Sequence, residues 1–312
     1  MIGLLKPILM TLINKYIGAM AVAGLMAVGF GGPLQASIVD LGAAGQFGAL
    51  ALTTGIDDSG PLGPDGSVTI NADVGVASSG QSFSASGSVV YSGNLYLHTG
   101  VTYNNSAPGV PLPQPQNATN DAFLAQARSD AFAASNFALT LGVTATYGTI
   151  NTNTTISEGA VGNYVFSLQG GINFSGNSTL TLSAPAGSCY VLNISNQFVL
   201  TGGSVLLSGG LTADNVLLNY TGTSDVRFSG GGNSSQVYGT ILAPNAKVDL
   251  SPGLVVGRVI ASGLSMSSGA QILTPVPEVT PGSVIFGFLG LVIAVGSRKA
   301  LAARLIRVRA KQ

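Results

Sequence analysis

The sequence predicts a mainly β fold, a parallel β-solenoid (β-helix) with one α-helix packed alongside and an apolar helix at each end. Three observations lead there. Segments Tyr164–Gln169, Tyr190–Ser195 and Val216–Thr221 superpose at a period of 26, with apolar and polar classes agreeing at nearly every position. A second set of positions follows them: Phe174-Ser175-Gly176, Leu200-Thr201-Gly202, Phe228-Ser229-Gly230, then Leu250-Ser251 and Met266-Ser267, at spacings of 26, 28, 22 and 16. The third is composition: of 312 residues 44 are glycine, 46% are hydrophobic and only 8% are charged, which suits short strands joined by tight corners.

In such a coil, like residues stack above like. Val165, Val191 and Leu217 are expected on consecutive rungs in parallel register, with Ser167, Asn193 and Asn219 on one line pointing the opposite way and the asparagines forming an amide ladder. Phe174, Leu200, Phe228 and Leu250 are expected to form an internal stack.

Taken in chain order, residues 1–36 have the layout of a secretory signal: Lys6 and Lys15, an apolar stretch from Tyr16 to Phe30, and a small-residue site with cleavage after Ala36. The solenoid domain is expected over 37–274. Ser67–Ile70, Ala72–Val76, Ser88–Tyr91 and Asn94–Leu97 alternate like strands. Residues 99–119, with Pro108, Pro111, Pro113 and Pro115, read as a loop. Asn120 then caps a helix over 121–139, whose Phe123, Leu124, Ala127, Ala131, Ala134 and Ala138 make one apolar stripe suited to close packing against a sheet. At the end, Pro275–Pro281 precede an apolar stretch over 284–295, and Arg298, Lys299, Arg304, Arg307, Arg309 and Lys311 form a basic stop.

Composition excludes several kinds of chemistry. Between the two ends only Arg128, Arg227, Lys247 and Arg258 face eleven acids, a net charge of −7, so there is no basic patch for nucleic acid. One cysteine, Cys189, rules out an internal disulfide framework or a cysteine metal cluster, and no cofactor is expected. One histidine, His98, leaves little for imidazole acid–base chemistry.

The segment from Val276 onward resembles the PEP-CTERM sorting signal of Gram-negative bacteria, in which a Pro-Glu-Pro motif precedes a membrane helix and a basic end. Pro277 and Glu278 match its first two positions, and Val279 stands where the second proline would be. The resemblance implies an exosortase-type membrane protease as partner, transient anchoring through the C-terminal helix, and a final place at the outer surface or in the extracellular matrix. Over residues 38–271 the chain resembles the solenoid of bacterial ice-binding adhesins and the related choice-of-anchor A domain. The likeness rests on Val39–Phe47, on Ala125–Asp130, on Gly239-Thr-Ile-Leu-Ala-Pro-Asn-Ala246 and on Gly257-Arg-Val-Ile-Ala261.

Candidate sites are sparse. Ice binding through threonines would need them on successive rungs, and Thr152, Thr154 and Thr155, or Thr179 and Thr181, do not recur: Val205 and Leu207 lie 26 residues after the latter pair. Asp57, Asp58, Asp65 and Asp73 could hold calcium, but Asp-Gly turns explain the string and its spacing fits no EF-hand. Asp225 with Lys247 and Arg227 with Asp249 are each 22 apart, a local rung length, and read as charge balance between neighbouring rungs rather than as a lyase site. His98 reads as a surface residue and Cys189 as a small buried hydrophobe. The expected function is that of an exported structural or adhesive protein and not an enzyme, with extracellular polysaccharide or matrix protein as ligand. A carbohydrate-active β-helix enzyme and an ice-binding protein are the two alternatives.

Overall fold

A computed structural model describes residues 38–60, 66–230 and 235–275. The expected signal with Ala36, the motif Pro277-Glu278, the apolar stretch 284–295 and the basic residues Arg298, Lys299, Arg304, Arg307 and Arg309 lie outside the described residues. Among the described residues, no helix is long and apolar enough to cross a membrane.

The chain winds into a three-faced parallel coil. All the strand pairs that define its faces are parallel. The first face runs across nine strands, from Leu95–Leu97 through Val74–Val76, Ala49–Ala51, Val259–Ser267, Thr240–Ser251, Val216–Tyr220, Cys189–Ile194 and Asn163–Leu168 to Ala145–Tyr147. The second face is built from Ile172–Ser175, Phe198–Thr201, Val226–Ser229, the later halves of the two long strands, then Ile56–Gly60, Ser82–Gly87 and Thr102–Asn105. An eight-stranded sheet, from Thr154–Ser157 to Val89–Tyr91, is the third.

Rung order is not chain order. The first coils step outward from Ala49 to Leu95; the chain then crosses to the far end at Ala145 and winds back, so that its last rung pairs with its first, Leu50 against Ile260. The crossing is made by one helix, α1 (Ala118–Thr140). At about 1.5 Å per residue its 23 residues reach about 34 Å. Eight steps between nine strands at about 4.8 Å span about 38 Å. The helix is therefore as long as the journey requires.

Asn117, three residues before the expected cap, accepts from the Asn120 N–H at 3.0 Å, because the chain already leaves its extended path there. Residues expected as loop also include a strand, Thr102–Asn105, paired to Ser82–Ala85; a Pro-rich neighbourhood does not prevent pairing on the last rung.

The alanine stripe does what its small side chains allow. Leu124, Ala127, Ala131, Ala134 and Ala138 are buried against Leu50, Val165, Val191, Leu217, Leu242 and Ile260, and Phe123 stacks on Phe47 with ring centroids 5.3 Å apart. Val165, Val191 and Leu217 take the expected register, and Ser167, Asn193 and Asn219 align beside them. The expectation that these two lines point in opposite directions is wrong. Positions two apart on a strand share a face, so both lines meet the helix. Asn219 Nδ2 donates to Asn193 Oδ1 at 2.8 Å and to the Ser135 carbonyl at 3.1 Å. Ser135 Oγ donates to Asn219 Oδ1, and Asn193 Nδ2 to the Ala138 carbonyl. The amide ladder is thus a polar seam that fastens α1 to the coil with its buried groups satisfied.

Inside the coil, Phe174, Leu200, Phe228, Leu250 and Met266 stack as expected and are all buried. On the next rung the column meets a carboxyl: Asp58 pairs in register with Met266 and is buried, with Tyr91 Oη donating to its Oδ2. Two strings that carried the sequence likeness become stacked corners. Ile241, Leu242 and Ala243 lie beside Val259, Ile260 and Ala261, and a Cβ on Gly257 (φ +152°) would come within 2.0 Å of the Gly239 carbonyl oxygen. Arg258 beside that corner donates from Nε to the Gly45 carbonyl and from a terminal nitrogen to Asp214, stitching the first residues of the domain to its last rung.

Candidate functional site

With the first face covered by α1, the second and third are the coil's open surfaces. On a strand buried on one side, alternate residues point out, and the parallel register turns each outward position into a column running along the face. On the second face one such column carries a hydroxyl at every rung. Ser175 stands beside Thr201, Thr201 beside Ser229, and Ser229 beside Ser251. Ser251 Oγ lies 2.6 Å from Ser267 Oγ, which adjoins Ser59, and Ser59 adjoins Ser86. Seven consecutive rungs therefore present hydroxyls, and Ser106 follows with its backbone N–H on the Ala85 carbonyl. Rungs spaced by about 4.8 Å fix the period of this ladder through the backbone, independently of side-chain choice.

The column two residues earlier is mixed: Asn173, Val199, Arg227, Asp249, Ser265, Asp57 and Ser84. The expected register of the charges is present, with Arg227 beside Asp249. The expected contacts are not. Arg227 turns to Asp225 on its own strand, 3.3 Å away, and among the described residues neither Lys247 with Asp225 nor Arg227 with Asp249 forms an ion pair. Two residues apart on one strand, both side chains leave on the same side and reach each other more readily than across the rung. Beyond Lys247 the next two rungs carry Gly263 and Gly55, which opens a polar cleft of about 450 Å³ edged by Lys247, Asp225 and Asp57.

The third face lacks a hydroxyl ladder. Thr155 stands beside Thr181, but Thr181 meets Leu206, and Val256 meets Leu273 farther along. Thr179 meets Ser204, so the rung here is 25 residues long and the 26-residue alignment with Val205 and Leu207 is off by one. Thr152 lies before the strand Thr154–Ser157.

The acidic string is divided rather than gathered. Asp57 and Asp58 are in a strand, not a turn: Asp57 points out, Asp58 in, and Asp73 accepts from Asn94; Asp65 lies outside the described residues. Among the described residues no group of three or more His, Cys, Asp or Glu could hold a metal. Burial pushes Asp58 up to about 7, with the Asp57 charge adding to the effect and the Tyr91 hydrogen bond opposing it; burial and the Asp58 charge raise Tyr91 well above its ordinary value. His98 donates from Nδ1 to the Thr99 carbonyl, and the fold brings Asp121 to 3.8 Å from it. Cys189 is buried, and desolvation raises its thiol.

The hydroxyl column was missed in the sequence because its members are not evenly spaced. The signal was there: each of the five later members directly follows an apolar residue of the internal stack.

Comparison with known proteins agrees with this geometry. An ice-binding protein from the Antarctic ascomycete Antarctomyces psychrotrophicus superposes with a TM-score of 0.51 at 22% identity, over 76% of this chain and 98% of that one. An ice-binding protein from an Antarctic biological consortium gives 0.51 at 20% identity, over 76% and 91%. One from an Arctic yeast, whose antifreeze activity has been examined structurally, gives 0.51 at 18%, over 78% and 97%. At these identities the likeness concerns the fold. A search of curated proteins finds no match. The model of the ice-binding-like adhesive domain matches residues 18–273, and the chain belongs to that family.

Proposed function

We propose that this protein is a surface-binding protein of the ice-binding type, which holds ice through the second face of its coil. The observation that carries the reading is the ladder of hydroxyls from Ser175 to Ser86 on seven consecutive rungs. Short side chains on a paired sheet lose little freedom on binding, so an ordered array of water can be held at small entropic cost. The repeat along the ladder is set by the sheet, which is what a crystalline partner requires.

The experiment is adsorption to ice. Wild-type protein should be enriched in a growing ice hemisphere and should slow recrystallisation. Ser229→Tyr/Ser251→Tyr, which breaks the ladder at its centre, should abolish both, and Thr181→Tyr on the third face should change neither. Failure of the wild type to adsorb, or adsorption indifferent to the ladder, would overturn the reading.

The neighbouring column favours a second reading, adhesion to a hydroxylated polysaccharide or matrix protein. Arg227, Asp249 and Asp57 hold water strongly and recognise sugar hydroxyls as well as they interrupt a flat ice face. Both readings make the protein a binder rather than an enzyme and place it outside the cell. Export through the signal ending at Ala36, sorting at Pro277-Glu278 by an exosortase-type protease, and display on a Gram-negative surface complete the proposal. Mass spectrometry of the exported protein tests it: peptides from 299–312 in the mature form would refute processing.

A further inference from the structure

Away from the ladder, α1 and the corner that leads from the first face to the second enclose a cleft of about 610 Å³. That is within the usual size of a small-ligand site. Among its walls are Arg128, Ser129 and Phe132 from α1, Ser79 and Gln81 from one corner, and His98 from the next rung.

The charge of this cleft is unusual for the molecule. Arg227 and Arg258 are each paired to a carboxylate. Arg128 is not, and the acids on its own helix are spent elsewhere. Asp121 accepts from the Thr99 N–H at 2.8 Å, while Asp130 accepts from the Ala43 N–H at 2.8 Å and from Gln126 at 2.6 Å. A guanidinium presents a rigid fork of N–H donors matched to a carboxylate. His98 is oriented as well. Its Nδ1 must donate to the Thr99 carbonyl, since a carbonyl only accepts, which leaves Nε2 of the neutral ring as an acceptor for a hydroxyl. Ser79, Gln81 and Ser129 add hydroxyl and amide groups, and Phe132 supplies an apolar wall.

We propose that this cleft binds an anionic sugar, a hexuronate unit of an acidic polysaccharide. Its carboxylate lies on Arg128, its hydroxyls meet His98 Nε2, Ser79, Gln81 and Ser129, and the apolar face of its ring rests on Phe132. A simple oxyanion would need more cations than one guanidinium and would leave the acceptor nitrogen and the ring unused. The site shares no residue with the hydroxyl ladder, so it stands or falls independently of ice binding.

The test is calorimetric titration of the full chain with trigalacturonate, with galactotriose as its neutral counterpart, and with inorganic phosphate. Trigalacturonate should bind at least tenfold more tightly than galactotriose, and more weakly as salt is added. Arg128→Ala should lose at least tenfold, Arg128→Gln should lose as much without emptying the helix surface, and Arg227→Ala should bind like wild type. Equal binding of the two oligomers, unchanged binding in both Arg128 variants, phosphate binding as tightly as trigalacturonate, or no binding by either oligomer would overturn the proposal.

Discussion

Replacing Asp58 by Asn should flatten the pH dependence of stability in the neutral range. The carboxyl is buried in the internal stack between Met266 and Ala85, and burial raises it from 3.8 to about 7. The folded protein therefore keeps this proton up to about pH 7, whereas the unfolded chain releases it near pH 4. Between those values the unfolded state binds fewer protons, so stability falls as pH rises, by about 1.4 kcal/mol per pH unit. Over about three units this amounts to a loss on the order of 4 kcal/mol, fully present below pH 4 and gone above pH 7. Asparagine cannot ionise and can still accept from Tyr91 Oη. Its amide would occupy the place of Oδ1, a buried oxygen without a hydrogen bond of good geometry, at a constant cost of about 1–3 kcal/mol. That cost displaces the curve without tilting it. Urea unfolding of the wild type and Asp58→Asn at half-unit intervals from pH 4 to 8 measures the difference. The gap between the two curves should change by several kcal/mol in favour of the variant as pH rises; parallel curves would refute the assignment of the carboxyl as a buried acid.

Other substitutions test particular contacts by denaturant unfolding. Asn219→Ala leaves Ser135 Oγ and Asn193 Oδ1 without their partner under α1 and should cost about 2–3 kcal/mol. Gly257→Ala forces a left-handed residue against the Gly239 carbonyl and should cost at least about 2 kcal/mol. Phe228→Ala hollows the internal stack and should cost about 3–5 kcal/mol. Lys247→Ala, at an outward position without an ion pair, should stay within about 0.5 kcal/mol of wild type, and a larger loss would mean that the charges on this face are coupled after all.

What was readable in the chain is what repeats evenly. Rungs from Asn163 to Tyr220 keep the same length, so Val165, Val191 and Leu217 could be aligned without a structure. The early rungs could not, because their inward position at Asp58 is polar and masks the period. Ser59 and Ser86 therefore gave no sign of continuing the column that ends at Ser267. The charges show a different limit. Register follows from rung length, but whether Arg227 reaches across to Asp249 or back to Asp225 depends on side-chain direction, which spacing does not contain. Asp121 beside His98 and the committed carboxylates around Arg128 depend on how α1 lies on the coil, a tertiary fact.

The return journey of the chain changes how such a coil can come into being. An ordinary solenoid can nucleate anywhere and lengthen rung by rung, and losing its final repeat only shortens it. Here the strand at Val259 fills the gap between Thr240 and Ala49, joining positions more than 200 residues apart in sequence. The last rung made is a keystone in the interior. Until it arrives, the two stretches on either side expose open sheet edges to each other, and loop closure over that distance must be won before the rows can knit. Completion is then a single late event, so a chain threaded outward in sequence order would reach its destination still open and close only when its final coil has emerged.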